Sequence, residues 1–156
     1  MKVIIYIIIF IVFSGCGFKV INQSKNQAYN INEVLTAGEK RLNYYIKRDL
    51  IKKTSSNIDN INISLFIETT KTKSIKEKNN KNEITKYEIN IIANVEVKEV
   101  GKDMKINAFT ISNNGDFEIS KQNSTTRNNE KNLNKSLSEN IAKEIIFKLN
   151  STMNDL

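Results

Sequence analysis

Histidine, tryptophan and proline are absent from this 156-residue chain, which has one cysteine and five glycines. Each absence excludes chemistry. Without histidine, neither a Ser-His-Asp triad nor a Cys-His pair can form within the chain. One cysteine and no histidine leave no zinc site of the usual nitrogen and sulfur kind, and no intramolecular disulfide. Gly15 and Gly17 are the only glycines close together, so there is no glycine-rich loop to cradle a phosphate. Glu96 and Glu99 fall on opposite faces of a strand and cannot act as a paired acid and base. Neither catalysis nor a bound cofactor is expected. What is present is 39% apolar and 26% charged, with a net charge of +7, which suits one domain with a single modest core.

The apolar residues open the chain. Met1-Lys2 precedes an unbroken apolar run, Val3 to Phe13, and then Ser14-Gly15-Cys16. A spanning helix needs about 20 apolar residues, so this run is too short for a permanent membrane span. A positive start, a short apolar stretch and small residues after it describe a secretory signal. The lone cysteine stands at the cleavage point, and Phe13-Ser14-Gly15-Cys16 resembles the bacterial lipoprotein signal. That resemblance implies cleavage between Gly15 and Cys16, a diacylglycerol on the thiol and an acyl group on the freed amine. At about 0.8 kcal/mol per buried methylene, two or more chains anchor a protein to a bilayer. Gly17 follows the cysteine, not the Asp of inner-membrane retention, so the expected address is the outer membrane. The expected organisation is a signal at 1–15, a tether at 16–27, a folded domain at 28–150 and a tail at 151–156.

Within the domain, Tyr29, Ile31 and Val34-Leu35 predict a short first strand. Thr36-Ala37-Gly38-Glu39 reads as a capping box, opening a helix over 37–53 whose Leu42, Ile46 and Leu50 share one face. Ile61, Ile63, Leu65 and Ile67 alternate with more polar residues and predict a half-buried strand. Tyr87, Ile89, Ile91, Ala93, Val95 and Val97 alternate over a longer span, the mark of an antiparallel strand with one wet face. A turn at Gly101-Lys102-Asp103 leads to a returning strand from Lys105 to Ser112, which Asn114-Gly115 is expected to break or bulge before Phe117 and Ile119. Leu133, Leu137, Ile141 and Ile145 then predict a helix over 129–150. The order β-α-β-β-β-α gives an α+β two-layer sandwich: a four-stranded, mostly antiparallel sheet with both helices on one face.

Signal, Cys16-Gly17-Phe18 and this order of elements together resemble the LPS-assembly lipoproteins of the LptE type. In that family a Cys-Gly-aromatic start precedes a strand, a helix and a long central hairpin with a strand like Lys86-Tyr87-Glu88-Ile89-Asn90-Ile91-Ile92-Ala93-Asn94-Val95. A polar stretch like Asn128-Asn129-Glu130-Lys131 then enters the last helix. The resemblance covers almost the whole chain as an order of elements with few fixed residues. It implies a protein with no catalytic step, seated one-to-one as a plug inside the outer-membrane β-barrel LptD, that assists delivery of lipopolysaccharide (LPS) to the surface.

Loss of the signal removes only Lys2 and leaves 23 basic against 17 acidic side chains. Lys71, Lys73, Lys76, Lys78 and Lys81 crowd the link between the second and third strands. On a flexible hairpin tip they are candidates to meet the phosphates and carboxylates of LPS. The plain alternative is a solvated loop whose exposed charges are screened by salt. Nucleic acid is not an expected partner: the chain is exported and has no basic and aromatic stacking platform. Two other functions share the anchor and fold. One is a lipid-anchored periplasmic structural or envelope-maintenance protein without LPS binding; the other is a lipid carrier, for which the chain offers little spare apolar volume.

Overall fold

The computed structural model describes residues 29–53, 60–102 and 105–154. Elements follow in the order β1 (Tyr29–Gly38), α1 (Lys40–Lys53), β2 (Ile61–Lys78), β3 (Ile84–Glu99), β4 (Lys105–Glu118) and α2 (Asn123–Asn154). The sheet runs β1-β2-β3-β4. β1 is parallel to β2, and the other two pairings are antiparallel. A parallel pair needs a crossover, and α1 is that crossover.

One face of the sheet is apolar and buried beneath the helices. Ile63, Leu65 and Ile67 of β2 meet Ile89, Ile91, Val95 and Val97 of β3, all at most 1% exposed. Leu42, Ile46 and Leu50 of α1 and Leu137, Ile141, Ile145 and Leu149 of α2 close over them. Fully burying one such side chain stabilises by about 1.5–3 kcal/mol, so this layer is what holds the wedge together. Tyr29 is buried with its hydroxyl donating to Asn150 Oδ1 at 3.0 Å. Burial pushes its phenol up to about 12. The helices are tied by Arg48, which donates to Glu139 at 3.0 Å and to Asp49 at 2.9 Å.

The architecture is the expected α+β sandwich, with four differences in detail. The capping box does not form, because Thr36 to Gly38 belong to β1 and α1 starts at Lys40. The backbone N–H of Glu39 instead donates to the Thr69 hydroxyl from the neighbouring strand, at 3.1 Å. Gly115 neither breaks nor bulges β4 but pairs in register with Ile89. Its glycine has a packing reason: a Cβ there would lie 2.8 Å from Leu133 Cδ1. The irregularity falls between Val97 and Lys98. α2 begins before Leu133 supplies any stripe and runs on through residues 151–154, with Met153 buried. Finally, β2 continues to Lys78 as ordered strand, beyond the reach of β1.

Among the described residues, no helix covers the other face of the sheet. Thr70, Ile92 and Ser112 form one cross-strand row, and Leu35, Phe66 and Glu96 another. Leu35 and Phe66 are 51% and 40% exposed. This face is also bonded within itself: Thr110 donates to Asn94 at 2.9 Å and Ser112 to Asn90 at 2.9 Å.

Candidate functional site

The lysines singled out in the sequence lie on ordered backbone. Register decides where each points, because cross-strand partners share a face. Lys71 pairs with Ile91 and Lys73 with Ile89, so both are on the helix side. There α2 meets them: Glu130 takes Lys73 at 2.9 Å and Lys71 at 4.0 Å. The Lys73 ammonium also sits 4.4 Å from the Tyr87 ring centre and 4.9 Å from that of Phe117, and these two rings stack at 5.8 Å. A cation over aromatic faces is a stabilising contact in its own right.

Lys76 points to the other side of the sheet, to Asp116 at 2.9 Å and Glu88 at 3.7 Å. The hydrogen bond that the Lys76 ammonium donates to Asp116 raises the Lys76 pKa and holds the Asp116 carboxyl below the usual range. Lys78 and Lys81 stand at the tip. That tip is a hydrogen-bonded turn. Asn79 Oδ1 accepts from the backbone of Lys81 and Glu83 at 2.9 and 3.0 Å. Asn82 takes a left-handed φ of 64° and accepts from Lys78 Nζ at 3.1 Å. The five lysines therefore do not converge. Three are committed to carboxylates, and two face solvent at the distal end. Beyond Thr69 the β1-side edge of β2 has no strand partner among the described residues. Lysines on such an edge also discourage pairing with other chains.

Sequence reading missed a cleft of about 340 Å³ between the helices. Arg41 and Leu42 of α1, Lys71 of β2, and Arg127, Lys131 and Asn134 of α2 line it, with Glu39 and Glu130. Among the described residues Arg41, Arg127 and Lys131 have no carboxylate partner. Asn134 is 6% exposed, and its Oδ1 is buried without a hydrogen-bond partner. No local motif joins these residues, which three elements bring together from distant parts of the chain. Cys16 and its signal lie outside the described residues. Among the described residues, no helix is long and apolar enough to cross a membrane, and no group of three His, Cys, Asp or Glu could hold a metal ion.

No protein-family model and no curated protein matches the sequence. Solved structures do match. Rare lipoprotein B from Shewanella oneidensis superposes with a TM-score of 0.60 at 17% identity, over 80% of this chain and 98% of that one. A minor lipoprotein from Acinetobacter baumannii gives 0.59 at 16% identity, over 80% and 92%. Lipoprotein B from Nitrosomonas europaea gives 0.63 at 10% identity, over 89% and 94%. The fold is the one these lipoproteins have. At these identities the fold is what is shared, and it is shared over nearly the full length of each of the three chains.

Proposed function

We propose that this protein is an outer-membrane lipoprotein, held by acyl chains on Cys16, that plugs an LptD-type β-barrel one-to-one and assists LPS assembly at the cell surface. The observation that carries the reading is the coincidence of a lipoprotein-type signal ending at the only cysteine with a fold shared with solved lipoproteins. The surface is compatible with a plug. A wedge with a polar sheet face and charged helix exteriors suits a water-lined lumen, and Leu35, Tyr44 and Phe147 are exposed apolar side chains available to its wall. LPS would reach the wedge through cations that remain free to pair: Lys78 and Lys81 at the tip, and the cleft cations.

Depletion tests the function. Loss of LPS from the surface, with LPS accumulating inside the cell envelope, supports the proposal. Normal surface LPS together with some other envelope defect would replace it with the envelope-maintenance role.

A further inference from the structure

β1 is an edge strand: β2 pairs with one side of it, and among the described residues no strand lies on the other. Such an edge directs alternate N–H and C=O groups outward, where another chain can pair with them. The opposite edge of the sheet is guarded, because Lys148 Nζ donates to the Thr110 carbonyl at 3.4 Å and Asn129 Nδ2 to that of Glu118 at 3.3 Å. Along residues 33–38 one side chain among the described residues does the same, Asn43 Nδ2 to the Ala37 carbonyl at 2.9 Å. This stretch follows the irregularity between Ile31 and Glu33 and offers about 20 Å of regular edge.

Because β1 and β2 are parallel, α1 runs back beside β1 to connect them. On one flank of α1, Arg48 reaches Glu139 of α2. Lys40, Tyr44, Lys47 and Ile51 recur at i, i+4, i+7 and i+11 and share the other flank. The first three of these line a groove of about 440 Å³ with Thr36, Ala37 and Gly38 of β1. Thr36 lies on the helix side of the sheet, paired with the buried Ile67, and is still exposed because it faces this groove. Tyr44 is 63% exposed. Among the described residues neither Lys40 nor Lys47 has a carboxylate partner.

We propose that this groove binds an extended acidic segment of a partner protein, which adds beside β1 as a further strand of the sheet. Main-chain hydrogen bonds to the open edge supply affinity, and the side chains that face α1 supply selectivity. Every charged residue lining the groove is a lysine, which is why the segment is acidic. Side chains on one face of a strand recur about every 6.8 Å. Lys40 and Lys47 stand about 10.5 Å apart along the helix axis, with Tyr44 between them. An acid, an apolar residue two positions on and a second acid two beyond that therefore meet Lys40, Tyr44 and Lys47, and the long lysine stems take up the difference.

Charge also separates the occupants. Residues 17–28 of the chain itself hold Lys19 and Lys25 and no acid, so this groove repels them. A second copy set edge to edge brings the same lysines together. An anionic lipid answers the lysines but leaves the strand edge unpaired. The site makes no use of the plug contact proposed above, so each stands or falls separately.

The test is fluorescence anisotropy of a labelled, end-capped Thr-Glu-Thr-Val-Thr-Glu-Thr peptide, titrated with the full lipidated chain in neutral detergent micelles. The peptide should bind, and its counterpart with Lys in place of both Glu should bind about tenfold more weakly or not at all. N-methylation of alternate residues gives the signature of strand addition. One phase removes the hydrogen bonds to β1 and should abolish binding, while the other phase faces solvent and should change it little. Amide hydrogen exchange should slow along residues 33–38 when the peptide is bound. Lys40 and Lys47 are exposed, so in K40Q/K47Q the Tm should hold while affinity falls about fivefold. Equal binding of the two N-methylated peptides, or wild-type affinity in K40Q/K47Q, would overturn the proposal. No binding of the acidic peptide, together with phosphatidylglycerol vesicle binding that K40Q/K47Q weakens, would replace the partner strand with an anionic lipid surface.

Discussion

The Thr69 hydroxyl donates to Asn43 Oδ1 at 2.8 Å while accepting the Glu39 N–H at 3.1 Å. One side chain of β2 thus caps the start of α1 and fixes its first turn. Gly38 makes this junction possible: its φ is +88°, and a Cβ there would lie 2.0 Å from the Thr69 carbonyl oxygen. Thr69 and Asn43 are both buried. Thr69→Val keeps the shape and removes both bonds, so it should cost about 1–3 kcal/mol, read as a fall of several degrees in Tm. An unchanged Tm would mean that the junction is not a capping site.

The Lys76–Asp116 pair predicts an acid-side dependence of stability. Asp116 titrates lower in the folded chain than in the unfolded one because Lys76 donates to its carboxylate. Its contribution is therefore present above pH of about 4 and is lost as pH falls through the lowered folded value. In Asp116→Asn that part of the dependence should vanish, flattening the denaturant midpoint below pH 4 relative to wild type. Parallel curves for the two proteins would contradict the pairing.

The lysines separate by what they touch. In K78Q/K81Q the fold loses no ion pair, so Tm should hold while LPS binding falls several-fold. In K73Q/K76Q the contacts to Glu130, Asp116 and the Tyr87 and Phe117 rings go, so Tm should drop while LPS binding by the folded fraction changes little. Equal losses of LPS binding in both variants would show that the lysines act as a diffuse charge, without distinct roles.

What the sequence made legible was burial. Leu42, Ile46 and Leu50, the alternation from Tyr87 to Val97, and the stripe from Leu133 to Ile145 each repeat an apolar residue at the period of their element, and each was placed correctly. Where polar side chains build an element, periodicity is silent. The first turns of α2 have no apolar stripe and are held by Glu130 to Lys73 and by Asn129 Nδ2 to the Glu118 carbonyl at 3.3 Å. Thr36 matches a capping box in spacing, but the backbone of β1 continues past it to pair with Ile67, and a hydroxyl from the next strand does the capping. Gly115 reads as a breaker and is a clearance for Leu133. Both errors have the same cause: the deciding neighbour is remote in sequence. The cleft was hidden for that reason too.

Cys16→Ser removes the thiol that carries the lipid. The precursor should then remain uncleaved, unlipidated and in the inner membrane, read by mass spectrometry and fractionation. A normally processed and sorted variant would remove the anchor from the account.

Co-expression of the lipidated chain with an LptD-type barrel, followed by purification on a tag carried by the barrel, tests the central claim most directly. The account predicts a one-to-one complex that survives mild detergent, with the chain protected from protease inside the lumen. A solitary, protease-accessible monomer beside a folded barrel would contradict it.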